Sequence, residues 1–166
     1  MRKELIDKFW QEMLIPTQED DPSVAFANPA DVARSLIKSR NWSATIVQEM
    51  IDVSAELKNC KRNLRKAHKG LSGLEANILI GIEHTPTTAT KNNTTLRAFI
   101  RQNANEEQLK ELQKAEEKIE ALEQALLDFD TSYGSLERME RALERSTSWL
   151  VQYINWHKFE LRELNQ

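Results

Sequence analysis

Basic side chains are concentrated in one short segment of the sequence, where they could bind the phosphates of a nucleic acid. Between Leu57 and Leu74 the chain has six basic residues and no acidic one. Cations that follow one face of a rigid helix can track a phosphate backbone, with an affinity that falls steeply as salt rises. The six residues are termed the basic stripe, and they are Lys58, Lys61, Arg62, Arg65, Lys66 and Lys69.

A second, smaller basic group surrounds one aromatic residue further along the chain. It consists of Lys91, Arg97 and Arg101 around Phe99. In a single-strand contact, a ring stacks on a base while neighbouring cations neutralise phosphates. This group is therefore a candidate second contact for nucleic acid.

Groups that could perform catalysis are scarce. The sequence has one cysteine, Cys60, and three separated histidines, and it has no glycine-rich phosphate loop. The segment GLSGLE at residues 70–75 lacks the Lys-Ser/Thr pair that completes a P-loop. His157 has no second His or Cys at helical spacing, so we expect a hydrogen-bonded histidine and not a metal ligand. The sequence predicts no enzyme, no cofactor and no metal site.

The basic stripe lies within a long heptad pattern. From Ile46 to Ile78, every position reached by alternating steps of four and three residues is apolar, which is typical of a helix packed lengthwise against another. Five stripe residues fall on the side away from this seam, and Lys61 flanks it. An Asn-Pro pair favours a helix start, so the pattern predicts one helix from Pro29 to Ile80, or two helices that meet near Asn41. The seam residues are Ile46, Met50, Val53, Leu57, Cys60, Leu64, Ala67, Leu71, Leu74 and Ile78.

A polar segment and a second long heptad pattern follow. Residues 83–95 are rich in Thr and Asn and predict a loop, after which a short helix is expected at residues 96–102. Asn105 and Gln108 have the spacing of a capping box for the next helix. Near Gly134 the pattern shifts phase, which indicates either a turn or a local change of packing. The second seam is Leu112, Ala115, Ile119, Leu122, Leu126, Phe129, Tyr133 and Leu136, then Met139, Leu143, Leu150, Ile154, His157, Leu161 and Leu164.

The C-terminal stretch, residues 147–164, is apolar over a wide arc of the helix. Trp149, Tyr153 and Trp156 lie beside the seam, one step round the helix. A wide apolar arc indicates at least three neighbouring helices, from the same chain or from other subunits. We therefore expect these aromatic residues, together with Phe159, to pack in a core or a subunit interface.

These patterns predict an all-α protein of long amphipathic helices, folded as an antiparallel helical hairpin or coiled-coil bundle that self-associates through its seams. We expect one domain with four segments. These are residues 1–27, an N-terminal helix and linker; 28–82, a long basic helical segment; 83–104, a polar loop and short helix; and 105–166, an acidic long helix and aromatic C-terminal helix. Besides the aromatic residues, the packing residues are Ile46, Met50, Val53, Leu57, Leu64, Leu71, Leu112, Ile119 and Leu126.

Charge and composition restrict the partners and the location. A net charge of −3 argues against a protein that coats nucleic acid indiscriminately, so that only local groups of cations could bind phosphate. The longest apolar run is too short to cross a bilayer, and the charged N-terminus is unlike a signal peptide. A lone cysteine fits a reducing compartment. We expect no membrane association and a cytoplasmic location, which is the host cytoplasm if the chain is phage-encoded.

The C-terminal segment, in which Arg145-Ser146 is followed by residues 154–160, resembles the ending of the UvsY-like phage recombination mediators. The basic helical region that precedes this ending is similar in character to residues 57–69. The resemblance implies a small, non-enzymatic helical oligomer that binds single-stranded DNA. It also implies help in loading a strand-exchange recombinase onto DNA covered by a single-strand-binding protein. The residues that would serve the corresponding packing or assembly role are Trp156, Lys158 and Phe159.

Other interpretations of the same residues stay open. The basic stripe could pair with an acidic helix, since residues 106–144 include twelve acidic residues, or it could be a solvated face. The protein could be a phage-type inhibitor of a host defence or nuclease protein, with the acidic helix from Glu106 to Glu144 as its binding surface. It could also be a virion assembly or scaffolding protein, for which coiled-coil helices are sufficient.

Overall fold

The computed structural model describes residues 2–13, 29–82 and 93–163. For residues 29, 30 and 159–163 it describes the backbone but not the side chains. Nearly all residues in these ranges are helical, and none of them is in a strand. The predicted all-α class is therefore confirmed. The described helices are α1 (Arg2–Glu12), α2 (Pro29–Ile80), α3 (Asn93–Asn103) and α4 (Glu106–Glu163).

Helix α2 is continuous from Pro29 to Ile80, so the alternative of two helices that meet near Asn41 is wrong. All ten seam residues from Ile46 to Ile78 are buried or half-buried. The heptad pattern thus identifies the face of α2 that packs against the rest of the chain. At the end of α2, the backbone N–H of Gly81 donates to the carbonyl oxygen of Ile78 at 3.1 Å, which satisfies one of the last carbonyl groups.

Helix α4 begins at the predicted capping box. The backbone N–H of Gln108 donates to Oδ1 of Asn105 at 2.8 Å, and the N–H of Asn105 donates to Oε1 of Gln108 at 3.0 Å. The helix continues to Glu163, so Gly134 lies inside it and is not a turn. Beyond Gly134, the buried residues are Leu136, Met139, Ala142, Leu143, Ser146, Trp149, Leu150 and Tyr153. The phase shift therefore marks a wider buried arc.

Helix α3 is longer than the predicted residues 96–102. Residues 93–95, the last part of the predicted loop, are helical, and the earlier part of that loop lies outside the described residues. Ile100 is buried in a core that it shares with Ile78 and Leu112. Burial of this apolar face outweighs the weak helix propensity of Thr and Asn, because most helical stability in proteins comes from tertiary packing.

The chain packs as two compact units. Unit 1 comprises Met1–Ala55 and Asp130–Gln166, and unit 2 comprises Glu56–Phe129. The predicted segments 28–82 and 105–166 therefore each contribute to both units. The expectation of a single domain stays a prediction.

Unit 1 contains parts of three helices. Phe9 of α1 is fully buried, and its ring meets Trp42 of α2 edge to face, with 5.3 Å between the ring centroids. A separate cluster joins Val32 of α2 to Trp149 and Tyr153 of α4. Among the described helices of unit 1, α4 thus has two neighbours, α1 and α2, whereas the wide apolar arc of its C-terminal stretch predicts at least three, from the same chain or from other subunits.

Unit 2 contains α3 and the facing parts of α2 and α4. Cys60 of α2 lies beside Leu122 of α4, with 3.2 Å between Sγ and the carbonyl oxygen. Further along α2, Ile78 shares a core with Leu112, which comes earlier in α4. The two helices therefore run antiparallel in this unit, as the sequence predicts.

Candidate nucleic-acid interface

The basic stripe lies on the exposed face of α2 in unit 2. All six of its side chains are exposed, whereas the neighbouring seam residues Leu57, Cys60 and Leu64 are buried or half-buried. Because the helix rises about 1.5 Å per residue, the stripe extends about 16 Å from Lys58 to Lys69. The packing of the seam thus turns a compact row of cations outward.

Within the described part of the chain, no stripe residue forms an ion pair or a side-chain hydrogen bond. Close to the stripe, His68 Nε2 lies 4.0 Å from Glu123 Oε1 of α4. The alternative in which the stripe pairs with the acidic helix is therefore not seen among these residues. Exposed cations without carboxylate partners are available to bind phosphate, since no internal ion pair has to be broken first.

The acidic side chains of unit 2 lie mainly on α4. In the described structure, seven of its carboxylates are exposed between Glu106 and Phe129. The cations and the carboxylates thus project from different helices of the same unit, and a phosphate that approaches α2 meets the cations of the stripe. The exposed acidic residues are Glu106, Glu107, Glu111, Glu117, Glu120, Glu123 and Asp128.

The second basic group has its own carboxylate partners. Arg97 Nε lies 2.9 Å from Glu75 Oε1, which ties α3 to α2. One terminal nitrogen of Arg101 donates to both carboxylate oxygens of Glu116, at 2.6 and 2.7 Å, which ties α3 to α4. Both arginines are exposed, so a phosphate would have to compete with these pairs.

The structure describes one of the two other members of the second group. Phe99 is half-buried, so only part of its ring is open to a base. Lys91 lies outside the described residues. Of the two predicted groups, the basic stripe is therefore the one whose cations are both exposed and unpaired among the described residues.

The aromatic residues of the C-terminal stretch differ in exposure. Trp149 and Tyr153 are buried in unit 1 and are core residues, as predicted. Trp156 is 41% exposed, which leaves part of its indole ring accessible. His157 Nε2 lies 2.7 Å from the Tyr153 hydroxyl oxygen, so the expected hydrogen-bonded histidine is present. The side chain of Phe159 lies outside the described residues.

The remaining predicted packing residues are used within the chain. Ile46, Val53, Leu71, Leu112 and Ile119 are buried, and Met50, Leu57, Leu64 and Leu126 are half-buried. Among the described residues, packing inside one chain buries or half-buries the members of both heptad patterns. Self-association through these seams stays a prediction.

Sequence reasoning missed a groove between α2 and α4 in unit 1, with a volume of about 1250 Å³. Exposed apolar residues border it, among them Val47 and Val151, each 46% exposed. A second apolar periodicity on α2, through Ile37, Ala44, Val47 and Ile51, is visible in the sequence and could have indicated this surface.

The described residues contain no group of three or more His, Cys, Asp and Glu side chains that could hold a metal ion. None of the described helices is long and apolar enough to span a membrane. No protein-family model, curated protein or solved structure matches this chain. The features that bear on function are therefore the charges, burial and contacts of the chain itself.

Proposed function

We propose that this chain is a non-enzymatic helical protein that binds single-stranded DNA through the basic stripe of α2. The supporting observation is the row of six exposed cations that have no carboxylate partner in the described structure. Association with phosphates would release counterions from the strand, which is the main source of affinity at such a surface. A flexible single strand can align its phosphates with a straight row of cations, whereas the duplex backbone winds away from it.

The biological role in this proposal is that of a recombination mediator. The support is the resemblance of the C-terminal segment and the basic helix to the UvsY-like phage proteins. Such a protein assists the loading of a strand-exchange recombinase onto DNA covered by a single-strand-binding protein. The expected partners are single-stranded DNA, recombination proteins and further copies of this chain in a homo-oligomer, in the cytoplasm of a phage host.

The test is a charge reversal in the stripe with a matched control. The stripe variant is Arg62→Glu, Arg65→Glu and Lys66→Glu. The control variant is Lys110→Glu, Lys114→Glu and Lys118→Glu, which changes the net charge equally on exposed positions of α4. Fluorescence anisotropy with a labelled single-stranded oligonucleotide measures binding at low and moderate salt, and circular dichroism verifies helicity.

We expect tight, salt-sensitive binding by the wild-type chain and by the control, and no binding by the stripe variant. A duplex of the same sequence should bind more weakly than the single strand. Equal loss in both variants would indicate a general charge effect and not a site on α2. Binding retained by a folded stripe variant would refute the proposed interface.

A second candidate function uses the acidic face of α4. The seven exposed carboxylates in unit 2 could imitate the charge of DNA and bind a host nuclease or defence protein. This function predicts no oligonucleotide binding even at low salt, together with a stoichiometric complex with one host enzyme. Reversal of Lys110, Lys114 and Lys118 would leave that complex intact, since it makes the face more acidic.

A further inference from the structure

Helix α2 has a second apolar stripe in unit 1, separate from its buried seam. Ile37, Ala44, Val47 and Ile51 follow one another in steps of seven, three and four, which return to one face of a helix. All four are exposed, Ile37 at 63% and Ile51 at 58%. Exposed apolar side chains grouped on one face of a helix are typical of an interaction surface.

Two residues of this stripe, Ala44 and Val47, line the groove between α2 and α4. The groove is lined by residues 36–48 of α2 and 140–152 of α4, so that it extends about 18 Å along the helices at about 1.5 Å per residue. Val47 lines it from α2 and Val151 from α4. Its length and its open apolar borders suit a helix laid against it better than an enclosed small molecule.

Charged residues of both signs line the same groove. Arg40 stands on α2 and is exposed, while Glu140 and Glu144 stand on α4. Among the described residues, none of these three side chains forms an ion pair. In the described structure, the groove therefore presents one cation and two anions without ion-pair partners beside an apolar stripe.

Such a combination is self-complementary. In a two-fold interface each surface patch meets its own copy, so a patch must contain both members of every charge pair. Here Arg40 of one copy can face Glu144 of the other, and the reverse pair forms by symmetry. A surface for an unlike partner would need only one sign of charge.

We infer that this groove is the site at which a second copy of the chain docks. The interface would bury Ile37, Val47, Ile51 and Val151 and would pair Arg40 with Glu144 across the two-fold axis. Among the described residues, the seams predicted for self-association are buried or half-buried within one chain, whereas Ile37, Val47 and Ile51 of this stripe are exposed. The inference does not rest on DNA binding, since every residue in it belongs to unit 1 and the basic stripe belongs to unit 2.

Light scattering and sedimentation equilibrium test this inference. Both measure the molar mass of the full chain as a function of its concentration. The wild-type chain should reach twice the mass of one chain or a higher even multiple. The double variant Val47→Glu with Ile51→Glu should have the mass of one chain. The control, Ile80→Glu with Leu127→Glu, changes two exposed apolar residues outside the groove and should not alter the mass.

Charge exchange distinguishes the two-fold pairing from unspecific apolar contact. Arg40→Glu alone and Glu144→Arg alone should each weaken the dimer about tenfold or more, because like charges then face each other. The double variant, with both changes in one chain, should recover most of the affinity. The inference would be overturned if the wild-type chain had the mass of one chain at all concentrations. It would also be overturned if the double variant Val47→Glu with Ile51→Glu formed the dimer as well as the wild-type chain.

Discussion

The thiol of Cys60 on α2 donates to the carbonyl oxygen of Leu122 on α4, with 3.2 Å between Sγ and the oxygen. Cys60 is only 5% exposed, so this contact lies in the interior of unit 2. Cys60 therefore serves as a small packing residue between the two long helices.

The first prediction concerns the reactivity of this thiol. Because Cys60 is buried, it should react with a thiol reagent much more slowly in the native chain than in denaturant. As a control, Asn59→Cys in a Cys60→Ala background places a thiol at an exposed position, which should react rapidly. Spectrophotometric labelling rates measure both. Native Cys60 labelling as fast as that of the control would contradict the described packing.

The second prediction concerns the salt dependence of DNA binding. We consider the case in which all six stripe cations contact phosphates of a single strand. A plot of the logarithm of the association constant against the logarithm of the salt concentration should then have a slope of about −4. Each single change of a stripe residue to Ala, such as Arg65→Ala, should make the slope shallower by about 0.7. Anisotropy titrations at several salt concentrations supply the slopes. A slope unchanged in every single variant would place the contacts elsewhere.

The third prediction compares the two basic groups. Arg97 and Arg101 have carboxylate partners, so changing both to Ala should weaken DNA binding less than changing Lys58 and Arg65 together. The same change should lower the free energy of unfolding by at most about 1 kcal/mol per ion pair, because both pairs are exposed. Anisotropy and urea unfolding measure these quantities. Equal losses of affinity would mean that the second group contacts DNA despite its pairing.

The fourth prediction concerns the start of α4. Asn105→Ala removes the side-chain oxygen that accepts from Gln108 and should lower the free energy of unfolding by about 1 kcal/mol. Gln113→Ala is the control, since Gln113 is an exposed residue beyond the first turn that bonds only to Glu117 in the described structure. Urea unfolding followed by circular dichroism compares the two. Equal effects would show that the cap adds nothing to stability.

The fifth prediction concerns a buried hydroxyl in α2. Ser39 is 4% exposed, and its Oγ has no hydrogen-bond partner among the described residues. Ser39→Ala should therefore raise the free energy of unfolding, by about 1 kcal/mol more than the matched exposed change Ser43→Ala. The same urea experiment measures both. A destabilising Ser39→Ala would imply that the hydroxyl is bonded in solution.

Several features could be predicted from the sequence because they depend on nearby residues. The steps of three and four from Ile46 to Ile78 identified the packed face of α2, and every residue of that seam is buried or half-buried. The pair Asn105 and Gln108 identified the start of α4 at its correct position. The outward direction of the basic stripe followed from the same helical geometry.

Other features were decided by contacts between residues far apart in the chain. Gly134 continues the helix instead of turning it, and the start of α3 includes Thr residues that suggested a loop. In both cases tertiary packing supports helix where local propensity is weak. The pairing of Arg101 with Glu116 also depends on the approach of two helices, which sequence spacing does not report.

By itself, the sequence determined the all-α class, the helical faces and the position of the cations. Periodicity specifies which side of a helix is apolar, since side chains project at fixed angles around the axis. Only the tertiary structure decided what covers each face: the seam of α2 is buried by the chain's own helices, whereas Ile37, Val47 and Ile51 stay exposed. It also decided which cations meet a carboxylate, because an ion pair depends on a distance of a few ångströms between separate helices.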